Sequence, residues 1–248
     1  MAWLLAAAVA GSCGSDPKAG EPIEAAKTEP HQQEAVRKEA DPPPTPPSDA
    51  PPTMAAPTRP MPLFDGKDKA LKGWRVVKEV DFEMHGKVYV KDGTIVLETG
   101  SPMTGISWTS PFPTEDYEVT LEAMRVEGSD FFCGMTFPVG DAPLTLILGG
   151  WGGCVVGLSN VDHMHAAENE TTSSVAFENG RWYRVRLRVT KDRIEAWIDD
   201  QQKIDLEREG RGFTIWDEQQ PVRPFGIATW YTKAALRNIV LRGVTPRP

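Results

Sequence analysis

The chain has few cysteines and histidines and lacks any long apolar segment. Its 248 residues include three cysteines and four histidines, so only a few positions can carry disulfide or imidazole chemistry. No run of about 18 apolar residues occurs, and the sequence therefore predicts no membrane-spanning helix. Acidic side chains outnumber basic ones by 35 to 27, giving a formal net charge of −8. Because nucleic-acid binding usually needs a basic surface, no nucleic-acid partner is expected.

Aromatic residues are absent from residues 16–61, which are rich in Pro, Ala, Glu, Lys and Thr. The proline-rich stretch 42–47 favours the polyproline II conformation. Such a segment buries too little apolar surface to offset the entropy lost on ordering. We predict a disordered Pro-rich linker over residues 14–61, a spacer that holds a folded domain at residues 62–248 away from a membrane or wall. The alternative is a Pro-rich ligand for a partner domain.

The first thirteen residues resemble an export signal. Residues 3–10 are apolar, too few to span a bilayer but typical of a signal-peptide core. Small residues then precede Cys13, as in the lipobox of bacterial lipoproteins. We predict a signal peptide over residues 1–13, lipidation of Cys13, contact with a membrane through that lipid anchor only, and a periplasmic or cell-surface location. A plain cleaved signal and a chance apolar start are the alternatives.

Residues 62–243 contain one strand pattern after another. Asp92 and Gly93 separate two short apolar runs, which is a strong hairpin signal. Residues 117–126 and 182–199 alternate apolar with polar side chains, as half-buried strands do. No amphipathic helix of convincing length occurs. Many short strands with frequent turn signals predict an all-β sandwich or barrel.

A two-residue turn at Lys191 and Asp192 would fix the register of one predicted hairpin. Opposite charges and a cation–π contact would then meet on its outer face, each contributing roughly 0.2–1 kcal/mol. The predicted facing pairs are Arg188 with Glu195, Arg186 with Trp197, and Arg184 with Asp199.

The most polar cluster of the predicted domain lies in residues 160–170. Loops on a rigid β scaffold often carry functional sites. Three interpretations fit the cluster: metal ligands, acid–base groups that work without a metal, or an ordinary solvated loop. The sequence identifies neither a metal nor a cofactor. The candidate residues are Asn160, Asp162, His163, His165, Glu168 and Glu170.

Two tryptophans lie in settings that suit a sugar ligand. Trp151 is flanked by four glycines, which leave its indole little local packing. Trp216 precedes two carboxylates, Asp217 and Glu218, and two amides. Flat aromatic faces together with planar polar side chains are typical of glycan binding. Plain loop structure explains the same composition equally well.

Cys133 and Cys154 both lie in apolar strand patterns. In an oxidising compartment they could form a disulfide. Two buried thiols are the commoner arrangement.

Residues 79–86 resemble the nucleophile-and-acid motif of laminarinase-type and lichenase-type glucanases. In a strand, Glu79, Asp81 and Glu83 would share one side, as the carboxylates of those enzymes do. The segment lies near the start of the predicted domain, whereas those enzymes carry the motif on a central strand.

Six segments, in the right order, resemble the 3-keto-disaccharide hydrolase family and cover nearly all of residues 62–243. The resemblance implies a concanavalin A-like jelly-roll sandwich of two antiparallel sheets that acts on saccharides outside the cytoplasm. The segments are PLFDGKD (62–68), LKGW (71–74), GRWYRVRL (180–187), IEAWID (194–199), GIA (226–228) and LRNI (236–239).

The resemblance makes an exported hydrolase of glycosidic bonds the first hypothesis. A non-catalytic lectin-like module and a laminin-G-like adhesion domain are the alternatives. The family's usual middle is replaced here by residues 129–134 and 149–154, with Asp130 where an Asn–Ser pair usually lies. We expect a saccharide ligand, acidic side chains and histidines for acid–base work, and aromatic rings that hold the sugar. The expected catalytic residues are Asp130, Asp162, His163, His165 and Glu218, and the expected substrate-binding residues are Trp151, Asn160, Glu168, Glu170, Trp216 and Trp230.

Overall fold

A computed structural model describes residues 53–67 and 69–245, in which the chain forms two antiparallel sheets packed face to face. The strands are numbered here in chain order. The larger sheet contains β1 (Met61–Phe64), β3 (Val88–Lys91), β4 (Thr94–Leu97), β6 (Tyr117–Glu127), β11 (Trp182–Val189), β12 (Arg193–Ile198), β13 (Gln201–Glu207) and β15 (Lys233–Gly243). The smaller sheet contains β2 (Trp74–Val76), β5 (Met103–Trp108), β7 (Cys133–Val139), β8 (Ala142–Gly149), β9 (Val155–Ser159), β10 (Ser173–Ser174) and β14 (Gly226–Trp230).

The strand order confirms the predicted jelly roll. In the larger sheet it is β13-β12-β11-β6-β15-β4-β3, with β1 also paired to β15. In the smaller sheet it is β10-β9-β8-β7-β14-β5-β2. Neighbouring strands are therefore often distant in sequence, as they are when successive strands switch between two sheets. Helical structure in the described part is limited to one turn, α1 (Gly150–Gly153), and two 3-10 helices (Val80–Phe82 and Asp217–Val222).

The apolar core lies between the sheets and follows the predicted alternation. On β6, Tyr117, Val119 and Leu121 are at most 2% exposed. On β11, Val185 and Leu187 are at most 1% exposed. Because successive side chains of a strand point to opposite faces, each strand contributes every second residue to this core. The remaining residues of these strands form the outer face of the larger sheet.

The hairpin β11–β12 has the predicted register. Arg186 lies opposite Trp197, and its guanidinium carbon is 3.7 Å from the ring centroid. Arg188 lies opposite Glu195, with the two charged groups 3.9 Å apart. In the third facing pair, Asp199 N–H donates to the carbonyl of Arg184, and Arg184 N–H donates to the Asp199 carboxylate. Its side-chain charges pair elsewhere, Arg184 with Asp200 and Asp199 with Arg181.

The glucanase-like acidic segment is not a strand. It contains the first 3-10 helix, Val80–Phe82. Glu79 accepts two hydrogen bonds from Arg75, at 2.9 and 3.1 Å. Phe82 is fully buried, and a Cβ placed on Gly105 would lie 2.6 Å from its ring. This packing of Phe82 onto the sheet overrides the alternation, so the acids do not line one face of a strand.

The predicted signal peptide, Cys13 and most of the predicted linker lie outside the described residues, and those assignments stay predictions. Residues 53–61 do contact the domain. Met54 N–H donates to the carbonyl of Phe112, and Gly243 N–H donates to the carbonyl of Pro57. No helix among the described residues is long and apolar enough to cross a membrane.

Cys133 and Cys154 are both free thiols. Cys133 is fully buried, and burial raises the pKa of its thiol to about 12. It packs as an apolar core residue, in keeping with the commoner of the two predicted arrangements.

Candidate active site

The outer face of the smaller sheet carries two transverse rows of mostly small side chains. The strand register places Gly226, Thr136, Thr145 and Ser159 side by side across β14, β7, β8 and β9. The next row contains Ala228, Gly134, Ile147 and Gly157. Loop residues pack directly on Gly134, Gly157 and Gly226, whereas Thr145, Ile147 and Ser159 form the floor of a cavity.

Loops cover this floor at its margins and enclose a cavity of about 330 Å³. Three predicted binding residues, Trp151, Trp216 and Trp230, line it together with the predicted catalytic residues Asp130 and Glu218. Trp151 and Trp216 are 44% and 46% exposed. Gln219, one of the two amides that follow Trp216, also lines it, and the sequence did not single out the remaining lining residues, which are Met103, Phe131, Thr145, Ile147 and Ser159.

The segment from Trp216 to Gln219 is fixed to the floor at two points. The indole N–H of Trp216 donates to Ser159 Oγ at 3.0 Å. Gln219 is 5% exposed, and its Oε1 accepts a hydrogen bond from Thr136 Oγ1 at 3.2 Å. Thr136 also shares a 2.9 Å hydrogen bond with Thr145. These contacts hold one aromatic wall and the start of the second 3-10 helix rigidly over the sheet.

Glu218, between these two anchors, has an unusual carboxylate. Its Oε2 is inaccessible to solvent and has no hydrogen-bond partner within the described residues. A buried polar atom without a partner is costly and is rare in native structures.

Asp130 lies where the chain crosses from β6 to β7. Its Oδ1 accepts a 2.7 Å hydrogen bond from the N–H of Phe131. Burial raises the pKa of the Asp130 carboxyl, while hydrogen bonds from the N–H groups of Phe131 and Gly152 and the charge of Arg125 act to lower it. Burial, which disfavours the charged form, has the largest effect, so the pKa is raised overall. Asp130 is therefore a stronger proton acceptor than an ordinary aspartate.

Trp151 projects from a glycine turn with unusual backbone geometry. Its φ is +48°, and Gly149, Gly152 and Gly153 also have positive φ. A left-handed conformation costs a non-glycine residue roughly 1–2 kcal/mol. Arg125, which is 7% exposed, supports the turn from below through a 3.2 Å hydrogen bond to the carbonyl of Gly153. The backbone strain and the exposure of its indole make Trp151 a candidate functional residue.

The polar cluster of residues 160–170 lies beside the cavity, and none of its six candidates lines it. Asp162 and Glu170 both pair with Arg211. Glu168 pairs with His165, Nε2 of which is 3.0 Å from Glu168 Oε1. Of the two remaining candidates, Asn160 accepts a hydrogen bond from Ser159 Oγ, and His163 is exposed.

The metal interpretation of this cluster gains no support from its geometry. Within residues 53–67 and 69–245, no three His, Cys, Asp or Glu side chains are grouped as ligands of one metal ion. The carboxylates of the cluster point to Arg211 and His165, as described above. The catalytic and binding roles expected for these residues stay predictions.

The sequence of residues 59–242 matches the model of the 3-keto-alpha-glucoside-1,2-lyase-like domain. The chain belongs to this family. The match spans nearly all of the two-sheet domain and agrees with the resemblance found in the six sequence segments. A comparison with curated proteins finds no match.

Three solved structures have a fold similar to that of this chain. A protein of unknown function with a galectin-like fold from Bacillus subtilis has a TM-score of 0.54 and 15% identity, covering 78% of this chain and 98% of its own. The Crh5 transglycosylase in complex with NAG has a TM-score of 0.53 and 13% identity, covering 79% and 88%. SCLam, a GH16 endo-beta-1,3(4)-glucanase, has a TM-score of 0.51 and 11% identity, covering 77% and 94%. At these identities the likeness shows the fold alone.

Proposed function

We propose that the cavity binds a saccharide and that the domain cleaves a glycosidic bond next to a 3-keto group. One observation carries the proposal: two carboxyl side chains, Asp130 and Glu218, line the same tryptophan-walled cavity. Indole faces bind sugar rings through apolar contact, and carboxyl groups supply acid–base chemistry. The family description, which names a 3-keto-alpha-glucoside lyase, supports the choice of substrate class.

The 3-keto group suggests a route through elimination. It acidifies the hydrogen on C2, and Asp130, whose carboxyl has a pKa raised by burial, accepts that proton. The electron pair of the C2–H bond forms the C1–C2 double bond, and the C1–O bond breaks. The leaving oxygen keeps its electron pair and takes a proton from a water molecule beside Glu218. Addition of water across the double bond would then give net hydrolysis, with no oxidant or reductant consumed.

A lectin-like module is the second candidate, and a specific contact favours it. Asp130 is already engaged by the N–H groups of Phe131 and Gly152. A carboxylate with this bonding can serve mainly to hold the Trp151 turn. The cavity would then bind a sugar without turnover.

A deuterium experiment separates these functions. The full-length chain is incubated in D₂O with 3-keto and plain disaccharides, and the products are examined by mass spectrometry and NMR. Elimination followed by hydration is expected to place deuterium on C2 of the released 3-keto sugar. Release without deuterium on C2 would indicate direct hydrolysis, and binding without release would indicate the lectin-like module. An enzyme-free sample corrects for spontaneous exchange at C2.

The rate of cleavage should depend on the ionisation of Asp130. A base must be unprotonated to work, so kcat is expected to rise as pH rises through the pKa of Asp130. Because burial raises that pKa, the acidic limb should lie above the usual range for aspartate. The measurement is kcat against pH between about pH 3 and 8. A rate that falls with rising pH across this range would contradict the role of Asp130 as base.

A further inference from the structure

The imidazole of His165 lies near the indoles of both Trp151 and Trp216, beside the cavity. Its imidazole is stacked on the indole of Trp151, with centroids 4.8 Å apart and planes 22° apart. The ring of Trp216 is tilted by 37° relative to the imidazole, with a centroid separation of 6.2 Å. His165 therefore contacts two of the three tryptophans that line the cavity, although it does not line the cavity itself.

Both nitrogens of the imidazole are occupied by neighbours in the same loop. Nδ1 accepts a 3.3 Å hydrogen bond from the N–H of Ala167. Nε2 lies 3.0 Å from the carboxylate of Glu168. These two contacts fix the orientation of the ring and leave neither nitrogen free for a substrate. The contacts thus favour a structural role for His165 over acid–base chemistry.

The loop that carries His165 is rigidly attached to β9. Asn169, 5% exposed, donates from Nδ2 to the carbonyls of Leu158 and His165, at 2.7 and 2.9 Å. A Cβ placed on Gly157 would lie 2.5 Å from the carbonyl oxygen of Ala166, so the loop is pressed against the sheet. His165 is a fixed support, whereas Trp151 projects from a glycine turn with little packing of its own.

We propose that His165 is a positioning residue that sets the tilt and separation of Trp151 and Trp216 for the saccharide. This inference rests on the proposed function of the cavity. An aromatic pair stabilises its arrangement beyond the area it buries. Loss of the stack lets the Trp151 indole move, and the ligand then has to order it on binding.

The test compares His165→Ala with His165→Phe in the full-length chain. His165→Ala is expected to raise KM for the 3-keto disaccharide about 5- to 10-fold and to change kcat less than about two-fold. His165→Phe keeps a stacking ring without ring nitrogens, and it should restore KM to near the wild-type value. Met164→Ala, a change at the exposed neighbouring residue, serves as the matched control.

A second readout needs no ligand. In protein labelled with 5-fluorotryptophan, fluorine NMR signals of Trp151 and Trp216 are assigned from Trp→Phe variants. His165→Ala should shift these two signals, and His165→Phe should move them back. Unshifted signals would overturn the positioning role, as would a 100-fold loss of kcat that His165→Phe does not rescue. If no saccharide binds or reacts, the proposed function fails, while the fluorine signals still decide the role of His165.

Discussion

Asp130→Asn is expected to lower kcat for glycosidic cleavage by about 10²- to 10⁴-fold, the usual contribution of a positioned general base. An asparagine has nearly the same shape as an aspartate, and its Oδ1 can still accept the hydrogen bond from Phe131 N–H. The amide cannot accept a proton from C2. The acidic limb of the pH profile should vanish together with the rate, because it reports the ionisation of Asp130.

The matched control is Asp192→Asn, the same change at an exposed turn between β11 and β12. Its kcat should equal that of the wild type. Saccharide affinity measured by calorimetry should change little in Asp130→Asn, since the three tryptophans remain in place. A variant that loses affinity and keeps kcat would show that Asp130 serves to hold the Trp151 turn, and would assign the base to another group.

Strict alternation made much of the fold predictable. The apolar positions of β6 and β11 face the core as expected, and the turn at Lys191 and Asp192 fixed the register that brings Arg186 onto Trp197. At residues 79–83 the local pattern predicted a strand, and the structure has a 3-10 helix at Val80–Phe82. There the burial of Phe82 against Gly105 decides the conformation, and a sequence pattern does not reveal which distant residue a side chain will contact.

The candidate site was predictable to the extent that unusual residues form it. A tryptophan among glycines and one beside two carboxylates are conspicuous in a sequence, and Trp151 and Trp216 indeed line the cavity. Ser159 and Thr145 were missed because ordinary strands contain such residues, and only the strand register places them side by side. The pairing of Asp162 with Arg211, about 50 residues away in sequence, was not predictable from the local pattern of residues 160–170.

The largest stability effect is expected at Glu118, on the outer face of β6, the middle strand of the larger sheet. Its side chain is fully buried, although it carries a carboxylate. Register places Arg188 on one neighbouring strand and Arg242 on the other directly opposite it. Arg188 donates to its Oε2 at 3.0 Å, and Arg242 donates to its Oε1 at 2.9 Å. Both carboxylate oxygens are thus held by charged donors, which makes the burial of this acid tolerable.

Glu118→Gln retains the shape of the side chain and removes its charge, leaving Arg186, Arg188 and Arg242 without their shared carboxylate. Breaking a buried ion pair typically costs 3–5 kcal/mol. Because the Arg188 and Arg242 side chains are 22% and 47% exposed and can be partly rehydrated, we expect the lower end, about 3 kcal/mol. The measurement is the free energy of unfolding in urea. The slope of this free energy against urea concentration should equal that of the wild type, which checks two-state behaviour.

Glu207→Gln provides the matched control, because Glu207 pairs with Arg193 at the sheet margin and its side chain is 76% exposed. Exposed pairs contribute little, so this variant should unfold at nearly the wild-type urea concentration. High salt should weaken the Glu207 pair and leave the buried Glu118 pairs almost unaffected, since screening acts mainly on exposed charges. Equal effects of the two substitutions would mean that Glu118 is more hydrated than its contacts indicate, and that the apolar core alone holds the larger sheet together.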